Sequence, residues 1–221
     1  MKKQLKYLIL FLSFAALFVL PVNCFGQITV ESRTDTLYEG LGLKGILDYE
    51  IFKRALEGMD EYEFEKTHLL TIIDYTKASH RKRMFVIDLE NEKLLYHTLV
   101  AHGKNSGINY AEDFSNKNRS LKSSPGFYKT AETYFGKHGY SLKLDGLEEG
   151  INDHARERLI VIHGADYVSQ DFIDRHGRIG RSWGCPALPL PLTKEVITLI
   201  KEGSCLYIHT DYKSYLEQST P

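Results

Sequence analysis

The pattern of apolar and polar positions changes its period near residue 68. Over Ile46–Met59, apolar side chains recur at three- and four-residue steps, which predicts an amphipathic helix. Asp48 is placed to cap its start, and Gly58 lies near its end. Residues 27–43 are polar and dotted with glycine, and they show no clear period. We interpret them as a flexible lead-in to the helix.

Short apolar segments separated by turn residues dominate from residue 68 onward. The segments predicted as strands are 68–76, 83–91, 93–102, 124–134, 140–147, 157–165 and 204–210. Glu90 and Asn91 mark a tight hairpin, and the continuous apolar run over 157–165 is typical of a buried strand. A short helix is predicted over 196–203. The sequence therefore predicts a mainly β domain with a few helices.

One long segment, 103–124, carries no strand or helix pattern. It is rich in Gly, Ser and Asn. Segments of that length without secondary structure are uncommon inside a compact domain, and they are usually functional or mobile. We therefore expect it to matter for the function or to move.

Residues 1–26 have the features of a secretory signal. Three lysines in the first six positions precede an apolar run over Tyr7–Leu20 and small residues up to Gly26. The run is shorter than the ~20 residues that a membrane-spanning helix needs. We expect cleavage after Gly26 and a secreted, periplasmic or cell-wall location. An uncleaved membrane anchor and a lipid attached to Cys24 remain alternatives.

The remaining chain is predicted to contain an N-terminal extension with one amphipathic helix (27–67), a β-rich domain (68–210) and a C-terminal tail (211–221). The formal net charge is −1 and becomes −4 without the three lysines of the signal. A mildly acidic chain lacks the electrostatic footprint of a nucleic-acid-binding protein, so we expect no nucleic-acid partner.

The stretch RIGRSWGCPALP holds a cysteine, Cys185, between a glycine and a proline. Gly184 allows close approach and a positive φ, whereas Pro186 removes one main-chain N–H. This setting indicates a nucleophile, for which the N–H groups of Gly184 and Cys185 would be the oxyanion donors. The alternative is a Cys185–Cys205 disulfide, because secretion favours oxidation.

A cysteine attacks as the thiolate, which requires a base or a positive neighbour. Arg178 and Arg181 supply positive charge close by in the sequence. Two histidines are candidate bases. His163 ends a buried strand, where its position would be fixed, and His176 lies in a polar segment predicted as a loop. Rigidity favours His163 and leaves His176 as the alternative.

Trp183 is either a core anchor or a wall for substrate. The nine histidines of the chain are scattered, without the paired spacing of metal ligands, so we expect no metal site.

His163-Gly164, followed by Ser182-Trp183-Gly184-Cys185, resembles the signature of L,D-transpeptidases of the YkuD type, and of their murein L,D-transpeptidase catalytic-domain subfamily. The resemblance covers about 68–210. It implies a β-sandwich catalytic domain in which Cys185 is the nucleophile. It also implies that His163 is the base, oriented by the main-chain carbonyl of Gly164. Contacts to substrate would come from Ser182, Trp183 and Arg181. Trp183 replaces the histidine usual at that position, so it has no acid–base role here.

The resemblance also implies the chemistry. The enzyme would form a thioester with a peptidoglycan tetrapeptide stem, release D-Ala and form a 3→3 cross-link with an acceptor amine. No cofactor would be needed, and carbapenems would acylate the same thiol. An L,D-carboxypeptidase and a non-catalytic wall-binding module are alternatives. A sortase is disfavoured because the first basic residue after Cys185 is Lys194.

Overall fold

The computed structural model describes residues 25–213 and 215–216, which form four helices and eight strands. Residues 1–24 of the predicted signal, and residues 214 and 217–221 of the predicted tail, lie outside this description. In chain order the elements are α1 (Phe25–Gly40), α2 (Tyr49–Glu61), β1 (Lys66–Asp74), β2 (Met84–Asp88), β3 (Lys93–Thr98), β4 (Gly126–Gly136), β5 (Gly139–Gly146), β6 (Val161–Ala165), α3 (Gln170–His176), β7 (Ala187–Pro189), α4 (Leu190–Ile200) and β8 (Ser204–His209).

The eight strands form one sheet in the order β3-β2-β1-β8-β4-β5-β6-β7. The pairs β1–β8 and β6–β7 are parallel, and the other neighbours are antiparallel. Ala101, shortly after β3, forms an antiparallel bridge with Ala187 of β7, so the two edges of the sheet meet. The predicted mainly β class is confirmed, with the layers of the fold formed by one curled, nearly closed sheet.

Alternate side chains along the strands point to opposite faces and bury two cores. The inner core combines strand residues with one face of α4, and includes Ile73, Val86, Leu206, Val196 and Ile197. The outer core lies between the sheet and α2, and includes Leu70, Phe85, Tyr207 and Phe52. The tight hairpin predicted at Glu90-Asn91 is confirmed, since β2 and β3 are antiparallel neighbours.

The predicted amphipathic helix is confirmed as α2, although its bounds differ from 46–59. Asp48 caps it, and its carboxylate accepts the N–H of Glu50 at 2.9 Å. Gly58 lies near the end of the helix, as predicted. A Cβ there would lie 2.1 Å from the ring of Phe127, so the glycine allows α2 to pack closely on the sheet.

The prediction of a flexible lead-in over 27–43 was wrong, because α1 occupies most of that segment. Tertiary contacts stabilise a helix that its own residue pattern does not indicate. The hydroxyl of Tyr38 donates to the main-chain oxygen of Leu47, and its ring packs edge-on against Tyr49 at 5.3 Å. Leu41 and Leu43 are buried in the outer core.

The two later helices also differ from the sequence-based expectation. The segment of His176, expected to be a loop, contains α3, which Ser169 caps by accepting the N–H of Phe172. The predicted helix over 196–203 begins earlier as α4, with proline in its first turn. Among the residues that the structure describes, no helix is both long and apolar enough to span a membrane.

Candidate active site

The parallel pairing of β6 and β7 brings the candidate base and nucleophile to the same part of the sheet. His163 lies opposite Ala187, and its main-chain N–H points to the oxygen of Pro186 at 3.4 Å. Cys185 immediately precedes that proline. Residues far apart in the sequence thus become neighbours through strand pairing. His163 lies in the middle of β6 and not at the predicted strand end, and strands on both sides fix its position.

The thiol of Cys185 is half-buried and bonded to the main chain that leads into β6. Its Sγ donates to the oxygen of Leu159 at 3.5 Å and accepts the N–H of Val161 at 3.5 Å. Burial raises the pKa of this thiol above its ordinary value, although the N–H of Val161 and the charge of Arg158 lower it. The resting group is therefore the protonated thiol.

The imidazole of His163 is almost fully buried, with 3% exposure. Its Nδ1 lies 3.0 Å from the oxygen of Gly164, so Nδ1 carries the hydrogen and Nε2 remains free to accept one. Burial lowers the pKa of His163, which keeps the ring neutral. No hydrogen bond joins this ring to Sγ of Cys185 among the described residues. Catalytic hydrogen bonds often tighten only when substrate binds.

The turn that carries the nucleophile requires a glycine at residue 184. Gly184 has φ +127°, and a Cβ there would lie 2.8 Å from the main-chain oxygen of Lys122. Its N–H donates to Oγ of Ser182 at 3.1 Å, and that hydroxyl donates to the oxygen of Cys185 at 2.6 Å. Ser182 is 5% exposed, so its hydroxyl serves the turn instead of facing substrate.

These bonds change the expected set of oxyanion donors. We predicted the N–H groups of Gly184 and Cys185, but that of Gly184 is already bonded to Ser182. In the described part of the chain, the N–H of Cys185 has no hydrogen-bond partner. It is therefore a main-chain donor that the turn leaves available beside the thiol.

The side chains of Trp183 and Arg181 have different settings. Trp183 is 72% exposed, with the ammonium of Lys104 5.7 Å from its ring centroid, so it is not a core anchor. The guanidinium of Arg181 donates to the oxygens of Lys104 and Gly107, both at 3.0 Å. Arg181 thus holds the long segment 103–124 in place. Its guanidinium, which we predicted to contact substrate, is bonded to main-chain oxygens of the protein.

The segment 103–124 packs directly against the nucleophile turn. The N–H of Lys104 donates to the oxygen of Ser182 at 2.8 Å. Oγ of Ser123 donates to the oxygen of Gly184 and accepts the N–H of Gly103, both at 3.0 Å. The segment lacks regular secondary structure because its polar groups bond to the turn and to each other.

Sequence reasoning missed Arg158, whose charge lowers the pKa of the thiol of Cys185. Its guanidinium donates to the oxygen of Lys122 at 2.7 Å and to the hydroxyls of Ser120 and Ser124. It is close to the thiol because it precedes β6, which pairs with β7, the strand that follows Cys185. The available signal was a basic residue at the start of the predicted buried strand.

Arg178, predicted to supply positive charge to the thiol, and His176, the alternative base, both have other contacts. The guanidinium of Arg178 donates to the oxygen of Ile179 at 2.9 Å. His176 is exposed at the end of α3, with its ring 4.3 Å from that of Phe172. These positions leave His163 as the histidine on the strand beside the nucleophile.

The disulfide alternative is excluded, because Cys185 and Cys205 are both free thiols. Cys205 lies in β8 and is buried in the outer core, where burial raises the pKa of its thiol. Cys185 packs against the inner core. The sheet therefore separates the two sulfurs. Among the described residues, no cluster of three or more metal-ligating side chains is found.

The model of the L,D-transpeptidase catalytic domain family matches residues 43–209 of this chain, which therefore belongs to that family. The match begins before residue 68, where we predicted the domain to start, and it includes α2. The packing of α2 on the outer core agrees with that extent. No curated protein matches the chain.

Several solved structures are similar to this fold at low sequence identity. An L,D-transpeptidase from Mycobacterium smegmatis is 11% identical, with a TM-score of 0.40 over 65% of this chain and 59% of that one. The helical cell shape determining protein Pgp2 from Campylobacter jejuni is 14% identical, with a TM-score of 0.45 over 71% and 53%. An L,D-transpeptidase from Stackebrandtia nassauensis is 15% identical, with a TM-score of 0.39 over 81% and 77%. The chain thus spans little more than half of the first two.

Proposed function

We propose that this protein is a cysteine-dependent murein L,D-transpeptidase. The donor would be a peptidoglycan tetrapeptide stem and the product a 3→3 cross-link. The observation that carries the proposal is the pairing of β6 with β7, which sets the free thiol of Cys185 beside the strand of a neutral, anchored His163. Family membership supplies the class of reaction.

Acylation begins from the neutral thiol and neutral imidazole. Nε2 of His163 takes the proton of the thiol as Sγ forms a bond to the carbonyl carbon of the third stem residue. The N–H of Val161 stays with the sulfur as charge develops, and the N–H of Cys185 donates to the oxyanion. The bond to D-Ala then breaks, and its amine takes the proton from His163. A thioester on Cys185 remains.

Deacylation reverses the proton movements with a different amine. The amine of a neighbouring stem gives its proton to Nε2 of His163 and forms the new bond to the thioester carbon. The bond between carbon and sulfur breaks, and the proton returns to Cys185. The chemistry requires no cofactor. Carbapenems present a strained acyl group to the same thiol and should acylate it.

The proposed substrate and the N-terminal sequence support a proposal for the location. Peptidoglycan lies outside the inner membrane, and residues 1–26 have the pattern of a secretory signal. We propose export across that membrane to the periplasm or cell wall.

A purified tetrapeptide muropeptide tests the reaction, with products identified by mass spectrometry. Dimers together with free D-Ala support transpeptidation, whereas tripeptide and D-Ala alone indicate an L,D-carboxypeptidase. Cys185→Ala should abolish D-Ala release and the acyl-enzyme mass. Cys205→Ala is the matched control, because it removes a thiol on the other face of the sheet and should retain turnover.

Imipenem provides a second test that does not depend on the choice of stem peptide. One molar equivalent should add its mass to the wild-type protein and to Cys205→Ala, but not to Cys185→Ala. Muropeptide binding without D-Ala release and without imipenem acylation would instead indicate a wall-binding module.

A further inference from the structure

A second histidine covers the candidate base. His138 lies at the tip of the hairpin between β4 and β5, which turns between Gly136 and Gly139. Its imidazole stacks on that of His163, with ring centroids 4.5 Å apart and 27° between the planes. His138 is exposed whereas His163 is 3% exposed. One face of the buried ring is thus covered by a ring from the hairpin.

We propose that His138 is a positioning residue that fixes the plane of the His163 imidazole and, by its place over that ring, affects the protonation of His163. The inference rests on the proposed function in so far as it takes His163 to be the general base. It assigns to the β4–β5 hairpin a part in catalysis that the cysteine and histidine motif does not contain.

Two contacts define the orientation of the His163 ring. The hydrogen bond from Nδ1 to the oxygen of Gly164 fixes one edge of the imidazole. A single hydrogen bond leaves the ring free to tilt about that edge, and stacking with His138 removes this freedom. Together the two contacts fix the orientation of the ring and therefore of its Nε2 atom. A general base needs such a fixed orientation to accept the proton of a thiol.

The second effect is electrostatic. A positive charge on His138 lowers the pKa of His163, in addition to the larger effect of burial. The residues that pair with His163 from the two neighbouring strands, Ser141 and Ala187, are uncharged. The nearest basic residue along β5, Lys143, pairs with Glu132 at 2.9 Å. His138 is therefore the titratable side chain that stacks on His163.

The decisive experiment is an NMR titration of histidine-labelled protein, with the His163 signal assigned from a His163→Gln spectrum. His138→Phe keeps a ring on His163 but removes the charge, so the His163 midpoint should move to higher pH. His138→Ala removes both charge and cover and should move it further. His176→Phe is the control, because that histidine also contacts a ring but lies on α3. Equal midpoints in the wild type and both His138 variants would overturn the proposal.

Turnover separates positioning from charge. At a pH where His163 is neutral in every variant, His138→Ala should slow D-Ala release about tenfold, as expected for a misaligned base. His138→Phe should restore most of the rate, because it restores the stack. Equal rates in wild type and His138→Ala would refute a positioning role, and so would a phenylalanine variant as slow as the alanine variant.

The two readouts also separate this inference from the proposed function. If the wild-type protein released no D-Ala from any stem peptide, the proposed function would fail. The NMR titration would still decide whether His138 controls the protonation of His163.

Discussion

The hydroxyl of Ser123 joins the long segment 103–124 to the nucleophile turn by donating to the main-chain oxygen of Gly184 at 3.0 Å. The same Oγ accepts the N–H of Gly103 at 3.0 Å. All three residues are buried. The hydroxyl of Ser123 therefore satisfies two main-chain groups that are shielded from solvent.

Ser123→Ala should destabilise the fold and slow the reaction together. It leaves a buried N–H and a buried carbonyl without this partner, at about 1–3 kcal/mol for each unsatisfied group. The turn at Gly184 should then hold Cys185 less firmly. Urea denaturation and the rate of D-Ala release measure the two effects. Thr198→Ala is the control, because it removes an exposed hydroxyl of a helix and should change neither the stability nor the rate. If Ser123→Ala had as little effect as Thr198→Ala, Ser123 would not stabilise the nucleophile turn.

Gly184→Ala should be far more damaging than the same change at Gly177. Both glycines have positive φ, but a Cβ at Gly184 would meet the main-chain oxygen of Lys122, whereas nothing lies within 4 Å at Gly177. Gly184→Ala should lower the free energy of unfolding by about 3 kcal/mol and abolish D-Ala release. Gly177→Ala should lower it by about 1 kcal/mol and leave the activity unchanged. Equal losses in urea denaturation would show that φ alone matters.

The sequence could predict those parts of the fold that depend on local pattern. Short apolar segments bounded by turn residues indicated the strands, and the three- and four-residue period indicated α2. Cys185 was recognisable as a candidate because a glycine precedes it, and His163 because it lies in a continuous apolar run. α1 was not predictable, because contacts with α2 stabilise it and its own residues show no period.

The rest of the site depends on neighbours across strands, which no local pattern records. Arg158 affects the thiol because it precedes β6, and β6 pairs with β7, which follows Cys185. His138 contacts His163 because the hairpin between β4 and β5 turns beside that ring. Arg178 and Arg181 are nearer to Cys185 in sequence, yet they bond to main-chain oxygens. Proximity in sequence was therefore a poor guide to the charge that the thiol experiences.

The rate of alkylation of Cys185 by iodoacetamide should rise with pH and reach its midpoint above that of an ordinary cysteine. Burial raises the pKa of this thiol, and the charge of Arg158 partly offsets the rise. Arg158→Ala should move the midpoint still higher, and Arg158→Lys should lie between, because lysine retains the charge. The measurement uses Cys205→Ala in a chain without residues 1–26, so that Cys185 is the one cysteine left to react.

Arg156→Ala is the matched control for this series. Arg156 is exposed and forms ion pairs with Glu132 and Asp145, and its charge is not among the influences on the thiol. Its removal should leave the alkylation midpoint unchanged. A wild-type midpoint below the ordinary cysteine value would contradict a protonated resting thiol. Equal midpoints in Arg158→Ala and Arg156→Ala would show that the charge of Arg158 does not affect the thiol.

His102 connects the buried Arg83 to the loop beside the active site. Its Nδ1 lies 2.8 Å from the guanidinium of Arg83, and its Nε2 lies 3.2 Å from the oxygen of Gly107. Arg83 can only donate, so Nδ1 accepts and Nε2 carries the hydrogen. Burial and the charge of Arg83 lower the pKa of His102 from 6.5 to about 3. The folded protein therefore keeps this ring neutral.

The free energy of unfolding should fall as the pH drops below about 6.5. The unfolded chain then protonates residue 102 while the folded chain does not, which costs about 1.4 kcal/mol per pH unit down to a pH of about 3. His102→Asn keeps an acceptor for Arg83, so the variant should fold, with a lower free energy of unfolding at neutral pH. Its free energy of unfolding should depend less steeply on pH, by about 1.4 kcal/mol per pH unit. His154→Asn, at an exposed histidine, should retain the wild-type slope. Urea denaturation between pH 7 and pH 4 measures both, and equal slopes in His102→Asn and wild type would show that residue 102 is protonated in the folded state.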